Sequence, residues 1–425
     1  MNTKFLIRSG TSFLSYGISG VGGLLLSFSL LQVLSLKDFG YISLAIVLAQ
    51  FMALFVRGGI SHSLTRIAAE DSDNDHYFIP LAFLLCVYRS LIVPVLIGLM
   101  LIALQYIQVD SLGLFGDLNS LILVSSFLGL AFISSISGYF KGKGKPVLAS
   151  VFTLGFLFFS LAIVILVYDQ IYGGINKRQL TLAFLTIVYL PVVFFILWSL
   201  LPSNIYMISE LIRRHGLAKL SLNNTHHTLA VVAANALPLV TVLVSGLALS
   251  SEEVGLLRLV MQVLSIFLFS VMVIQSILSR DLLSFYGARR FESLNKIAQQ
   301  SSRFGLCLWP LMWGVSLTYL YVTYEFPIDK SALVPFLLVL IATFFILMSG
   351  AVDQFLDLCG GHRFRTYASI SMLFTFTAPL YLVFDRFGLW NGVGFIAVAV
   401  IIERCVTLFV ASKVHKTIFL PLSFN

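Results

Sequence analysis

Residues 34–44 read LSLKDFGYISL, and residues 249–259 read LSSEEVGLLRL. Leucine, serine and glycine recur at the same places, and Asp38 of the first copy corresponds to Glu253 of the second. The offset is 215 positions (250 − 35), about half of the 425-residue chain. The sequence therefore predicts two halves built on one plan, with the repeated segment at the same place in each half.

The segments on both sides of each copy are strongly apolar. Hydrophobic residues make up 59% of the chain and charged residues only 11%, and the mean hydropathy is +0.98. Soluble domains carry a far larger charged fraction. Inside a bilayer, helices and closed barrels alone satisfy every backbone hydrogen bond, and these long apolar runs lack the alternation of barrel strands. The composition predicts an all-α, multi-pass membrane protein.

Apolar runs of about 20 residues cross the hydrocarbon core, and they predict about twelve spans in two six-helix lobes with both termini cytoplasmic. Nineteen of the 27 Lys and Arg residues then lie in cytoplasmic segments and five in exported segments, as the positive-inside rule requires. The predicted lobes are residues 1–212, which include the start of an inter-lobe linker, and residues 213–425. The predicted spans are 9–34, 41–56, 78–107, 121–139, 147–167, 180–201, 228–249, 254–278, 304–324, 333–352, 367–383 and 389–411.

The N-terminal residues carry a resemblance to a known family. A first span rich in glycine (Gly17, Gly20, Gly22 and Gly23) is followed by LSLKDFGYISLA and by a second span that ends in LFVRGGISHSLTR. This pattern resembles the polysaccharide-transporter branch of the MOP exporter superfamily, and within it the O-antigen flippases called Wzx. The resemblance implies a MATE-like fold in the bacterial inner (cytoplasmic) membrane.

The same resemblance implies a function and partners. Such proteins translocate an undecaprenyl-pyrophosphate-linked oligosaccharide, an O-antigen or related repeat unit, from the cytoplasmic to the periplasmic leaflet by alternating access. They act in polysaccharide and lipopolysaccharide biosynthesis. The implied partners are this lipid-linked oligosaccharide, membrane lipid, and polysaccharide polymerase and chain-length regulator proteins. Because the basic residues are scattered between apolar runs, no nucleic-acid partner is expected.

Two other functions remain open. Ion-coupled multidrug (MATE-like) exporters have a similar size, but they rely on acidic residues in the N-terminal lobe, and the first six predicted spans hold no Asp or Glu at depth. A polytopic polysaccharide polymerase or ligase is expected to carry Arg or His in a large exported loop, whereas the longest exported segment, 108–120, contains neither. Nucleotide-binding and zinc motifs are absent. The sequence therefore predicts a transporter with no catalytic residue, cofactor or metal.

Arginines within the spans, or at their ends, are the candidates for binding a pyrophosphate. Arginine stays ionised and binds phosphate oxygens two at a time, and placing it at the bilayer centre costs about 2.5–3.5 kcal/mol on insertion scales. Arg57 and Arg258 lie near span ends, where the alternative is that they reach the interface. The predicted substrate-binding residues are Arg57, Arg89, Arg258, Arg404 and Asn235.

Carboxylates near the membrane are the candidates for ion coupling. A driven transporter needs a group whose protonation or ion occupancy differs between its conformations. Asp353 and Glu403 are the predicted candidates. The alternatives are that Asp353 is solvated with Asp357 at the end of the tenth span, and that Glu403 simply neutralises Arg404.

Overall fold

The computed structural model describes residues 3–61, 64, 65, 68, 78–91, 118–199, 225–324, 333–358 and 361–415. Nearly all of these residues are helical, and no strand occurs among them. Six of the described helices are long and apolar enough to cross a membrane, and four shorter apolar helices accompany them. The all-α, multi-pass membrane fold is thereby confirmed, while the count of twelve spans and the cytoplasmic termini stay predictions.

The described helices follow one another along the chain in a simple order. They are α1 (Thr3–Val33), α2 (Leu36–Arg57), α3 (Phe78–Ser90), α4 (Leu118–Val124), α5 (Phe127–Gly142), α6 (Pro146–Val151), α7 (Leu154–Tyr172), α8 (Lys177–Ser199), α9 (Thr225–Ala248), α10 (Ser251–Gly287), α11 (Phe291–Tyr324), α12 (Leu333–Ser349), α13 (Val352–Leu358) and α14 (His362–His415).

These helices form two compact units. The N-terminal unit is Leu14–Leu247, and the C-terminal unit is Ala248–Asn425 together with Met1–Phe13. In the N-terminal unit, α5 packs against α2, α3 and α8; in the C-terminal unit, α14 packs against α12 and α13, and α10 packs against α11. The predicted lobe boundary at residues 212 and 213 lies outside the described residues.

The repeated segment has the same local structure in both units. Ser35 precedes α2, and its hydroxyl accepts a hydrogen bond from the backbone N–H of Asp38 at 3.2 Å. Ser250 precedes α10, and its hydroxyl accepts one from the N–H of Glu253 at 3.4 Å, while the Glu253 carboxylate accepts from the Ser250 N–H at 3.0 Å. Both serines satisfy donors that a helix N-terminus leaves unpaired. The repeat therefore marks the start of the same helix in each unit.

A second pair of positions at this offset consists of glycines with positive φ. Gly173 ends α7 with φ 69°, and Gly388 interrupts α14 with φ 75° and ψ −173°. Glycine adopts such conformations without the steric cost that a Cβ imposes. The predicted spans 367–383 and 389–411 are accordingly the two arms of α14, which meet at Gly388.

Three predicted spans are broken where the sequence predicts continuous helices. The breaks follow α4, α6 and α12. After α6, the Thr153 hydroxyl donates to the Ser150 carbonyl at 2.6 Å, and after α12 the Ala351 N–H donates to the Ser301 hydroxyl of α11 at 3.3 Å. Side-chain hydroxyls thus bond backbone groups at the breaks, which is what lipid requires of irregular backbone.

The conformation of Gly388 gives a stability prediction. A Cβ at this position meets no atom within 4 Å, so the cost of Gly388→Ala is conformational, and we expect it to lower the free energy of unfolding by roughly 1–2 kcal/mol. Thermal unfolding of the purified protein in detergent measures this change. Gly314→Ala in α11 also has open space around the new Cβ and serves as the control, which should not lose stability. Equal loss in both variants would contradict the prediction.

Candidate functional site

Arg57 lies at the end of α2 in the N-terminal unit, with its side chain half buried. The helix ends there because Gly58 adopts φ 35°, and the Gly58 N–H donates to the Leu54 carbonyl at 2.9 Å. Among the described residues, no carboxylate forms an ion pair with Arg57. The neighbouring charge is the ammonium of Lys141, at the end of α5. Two positive charges therefore lie close together at these helix ends.

Close backbone packing fixes this arrangement. Gly138 and Gly142 of α5 have no room for a Cβ, because the backbone of Ser61 and Thr65 lies directly against them. The Thr65 hydroxyl also donates to the Gly138 carbonyl at 2.9 Å. The segment that follows Arg57 is thus held against the end of α5.

Arg89 lies in the last turn of α3, with its side chain half buried. One turn earlier, Cys86 is fully buried and its sulfur lies 3.7 Å from the Ser135 hydroxyl of α5. Helices α2, α3 and α5 all pack against one another. Arg57 and Arg89 therefore belong to one group of three helices.

The other predicted substrate-binding residues are more dispersed. Arg258 lies near the start of α10, half buried beside Tyr319 of α11 in the C-terminal unit. Asn235 lies in α9, and its side chain falls outside the described residues. The predicted residues are thus divided between the two units, and their role in substrate binding stays a prediction.

Four charged side chains meet inside the C-terminal unit, and we call them the ionic cluster. The Asp353 carboxylate, on α13, lies 2.7 Å from Nη1 of Arg404 and 3.4 Å from Nε of Arg365. Oε1 of Glu403 lies 4.0 Å from Nη2 of Arg404. The exposed fractions of the side chains are 15% for Asp353 and Arg365, 16% for Glu403 and 9% for Arg404. Water therefore screens these charges only weakly.

The ionic cluster corrects two interpretations of the sequence. Asp353 is not solvated at a helix end, because two arginines cover it. Glu403 is not the main partner of Arg404, since Asp353 makes the shorter contact, at 2.7 Å against 4.0 Å. Arg365 lies between two predicted spans, and the sequence contains no signal that it contacts Asp353. The side chain of Asp357 lies outside the described residues.

Asp353, which follows the tenth predicted span, has a strongly shifted pKa. Burial alone would raise the pKa of its carboxyl, but the charges of Arg365 and Arg404 and the hydrogen bond from Arg404 outweigh burial and lower that pKa to about 2. Asp353 is therefore ionised at physiological pH. Arg404 keeps unused hydrogen-bonding capacity, because its buried Nε has no partner among the described residues.

Comparison with known proteins gives matches in structure only. No protein-family model and no curated protein matches this sequence. An outward-facing multidrug-resistance MATE family transporter of the MOP superfamily is 13% identical, with a TM-score of 0.61 over 97% of this chain and 95% of that chain. A MOP superfamily transporter from Pyrococcus furiosus, described by the reverse polarity of its binding pocket, is 14% identical, with a TM-score of 0.58 over 97% and 96%. The MATE multidrug transporter DinF-BH is 12% identical, with a TM-score of 0.58 over 96% and 95%.

Likeness at this level of identity shows the fold. The chain has the fold of MATE and MOP superfamily transporters, which confirms the fold that the N-terminal resemblance implied. None of these three structures is described as a Wzx flippase.

The pairing in the ionic cluster predicts a coupled effect of mutation. Arg404→Gln removes the closest partner of the mostly buried Asp353 carboxylate, and we expect the free energy of unfolding to fall by about 3–5 kcal/mol. Adding Asp353→Asn removes the uncompensated charge, so the double variant should regain part of that loss. Denaturation of all variants in detergent measures the coupling energy. Arg386→Gln, at an exposed site on α14, should be neutral. Additive losses from the two cluster substitutions would contradict the pairing.

Proposed function

We propose that the protein is a multi-pass membrane transporter that works by alternating access. The observation that supports this proposal is the likeness to MATE and MOP superfamily transporters over 96–97% of the chain. We propose no enzymatic activity, because the polymerase or ligase alternative has no support from the fold. We place the protein in the bacterial inner membrane, with polymerase and chain-length regulator proteins as proposed partners.

Two substrate classes compete within this fold. Fold likeness favours an ion-coupled multidrug exporter, because structural neighbours are described as multidrug transporters. The N-terminal sequence pattern and the charges of the N-terminal unit favour an anionic substrate, the undecaprenyl-pyrophosphate-linked oligosaccharide. A cationic drug is repelled by Arg57 and Lys141, whereas a pyrophosphate is attracted to them. We therefore propose the lipid-linked oligosaccharide as substrate and keep multidrug export as the second candidate.

The proposed binding arginines differ in whether a carboxylate of the protein already pairs with them. Arg57 forms no ion pair among the described residues, so its guanidinium is available for phosphate oxygens. Arg404 is already bonded to Asp353 at 2.7 Å. We therefore assign the pyrophosphate first to Arg57, and we add Arg89 because it belongs to the same group of three helices. Contact by Arg258, Arg404 or Asn235, and ion coupling by Asp353 or Glu403, stay predictions.

A reconstituted assay separates the two substrates. The purified protein is placed in liposomes that contain an undecaprenyl-pyrophosphate-linked oligosaccharide, and a membrane-impermeant glycosidase measures how fast the headgroup appears outside. Parallel liposomes measure transport of ethidium, a cationic dye. A hydrogen bond to a charged group contributes about 1.5–3 kcal/mol, so Arg57→Gln and Arg89→Gln should each slow headgroup translocation by at least about tenfold.

Two controls make this result specific. Arg57→Lys and Arg89→Lys keep the charge and should regain part of the rate, while Arg178→Gln, at an exposed site on α8, should leave it unchanged. Headgroup translocation without ethidium transport supports the oligosaccharide. Ethidium transport without headgroup translocation would support multidrug export, and full activity of the Gln variants would remove both arginines from the mechanism.

A further inference from the structure

The ionic cluster has no counterpart in the N-terminal unit. The offset of 215 (250 − 35) that relates the two helix caps also assigns each cluster residue to a position in the first half. None of those four positions carries an ionisable group that is charged at neutral pH. Asp353, Arg365, Glu403 and Arg404 correspond to Gly138, Ser150, Val188 and Tyr189.

The N-terminal unit fills the equivalent space with uncharged contacts. At Gly138 the backbone of Ser61 occupies the place of any side chain. Val188 is fully buried, and the Tyr189 hydroxyl donates to the Ser125 carbonyl at 2.6 Å. At these four positions, the N-terminal unit is thus built without charged side chains. Burying charged groups costs free energy that uncharged packing avoids. A role other than stabilising the fold would explain why the C-terminal unit carries the ionic cluster.

Within the cluster, Glu403 differs from Asp353 in how it is held. Asp353 contacts both arginines, at 2.7 Å and 3.4 Å. Glu403 has a single contact with Arg404, at 4.0 Å, and no hydrogen bond to its carboxylate joins it to the described residues. A mostly buried carboxylate without hydrogen bonds is stabilised by taking up a proton. Asp353 lacks that tendency because its charge is compensated twice.

We propose that Glu403 is a proton-binding site of the C-terminal unit, at which one carboxylate takes up one proton from solution while Asp353 stays ionised between its arginines. The inference deepens the proposed transport function, on which its purpose rests, by giving the chain a group that exchanges protons. Among the described residues, the charged groups that face Glu403 are Asp353 from α13, Arg365 from the first arm of α14, and Arg404 from its own arm. Protonation changes the formal charge of the cluster from zero to +1 and leaves the bonds of Asp353 intact.

Infrared difference spectroscopy tests the site without any transport substrate. The full-length protein in lipid nanodiscs is titrated from about pH 4 to about pH 9, which spans the usual and the raised values for glutamate, and the protonated-carboxyl C=O band is followed. We expect one band in this range to vanish completely in Glu403→Gln and to return, at a shifted position, in Glu403→Asp. Asp385→Asn, at an exposed carboxylate of α14, should keep the band.

A second variant tests whether the band disappears merely because a substitution in the ionic cluster disrupts the fold. Asp353→Asn combined with Arg365→Gln keeps the cluster's formal charge, and its spectrum should retain the Glu403 band. An unchanged band in Glu403→Gln, or its loss in the Asp353–Arg365 double variant alone, would overturn the proposal. Because the titration needs no substrate, its failure leaves the proposed transport function untouched. A failed translocation assay with a normal titration would overturn the transport function and keep the proton site.

Discussion

Polar groups inside this protein must find hydrogen-bond partners within the protein, because the hydrocarbon of a bilayer contains no water. Regular helices satisfy their own backbone. Where a predicted span breaks, hydroxyls such as those of Thr153 and Ser301 bond the local backbone groups. Where α7 ends, and at the kink within α14, a glycine adopts a positive φ that a residue with a Cβ would adopt only at a steric cost. Hydroxyls and glycines are thus the means by which a chain with 59% hydrophobic residues keeps an irregular backbone within its helices.

Charged groups inside the protein also need partners, and the two units differ in whether carboxylates balance their arginines. In the C-terminal unit, the carboxylates of Asp353 and Glu403 balance the charges of Arg404 and Arg365. In the N-terminal unit, Arg57 stands near Lys141 with no carboxylate paired to it among the described residues. The balanced charges of the ionic cluster are consistent with a structural or proton-exchanging role. The positive charges of Arg57 and Lys141, which no described carboxylate balances, are consistent with binding of an anionic substrate. The proposed functions of the two units follow from this difference.

The sequence was sufficient for the features that depend on composition and local pattern. It predicted the helical membrane fold from hydropathy, and from the repeat it predicted a segment at the same place in each half. The helix caps that Ser35 and Ser250 form in this segment were not predicted. It did not predict the breaks within spans, because an average over about 20 residues is insensitive to a single hydroxyl or glycine. It also paired Arg404 with its chain neighbour Glu403, whereas the fold brings Asp353 of α13 closer to Arg404. Contacts between distant residues are set by packing, which local pattern does not encode.

We propose that this fold moves an anionic, lipid-linked sugar and not a cationic drug. The pool of undecaprenyl-linked oligosaccharide in host cells that lack the gene, measured together with dye retention, tests this proposal. We expect the oligosaccharide to accumulate on the cytoplasmic face and surface glycan to be lost, while dye retention is unchanged. An unchanged oligosaccharide pool with increased dye retention would rule out this substrate and would identify a multidrug exporter.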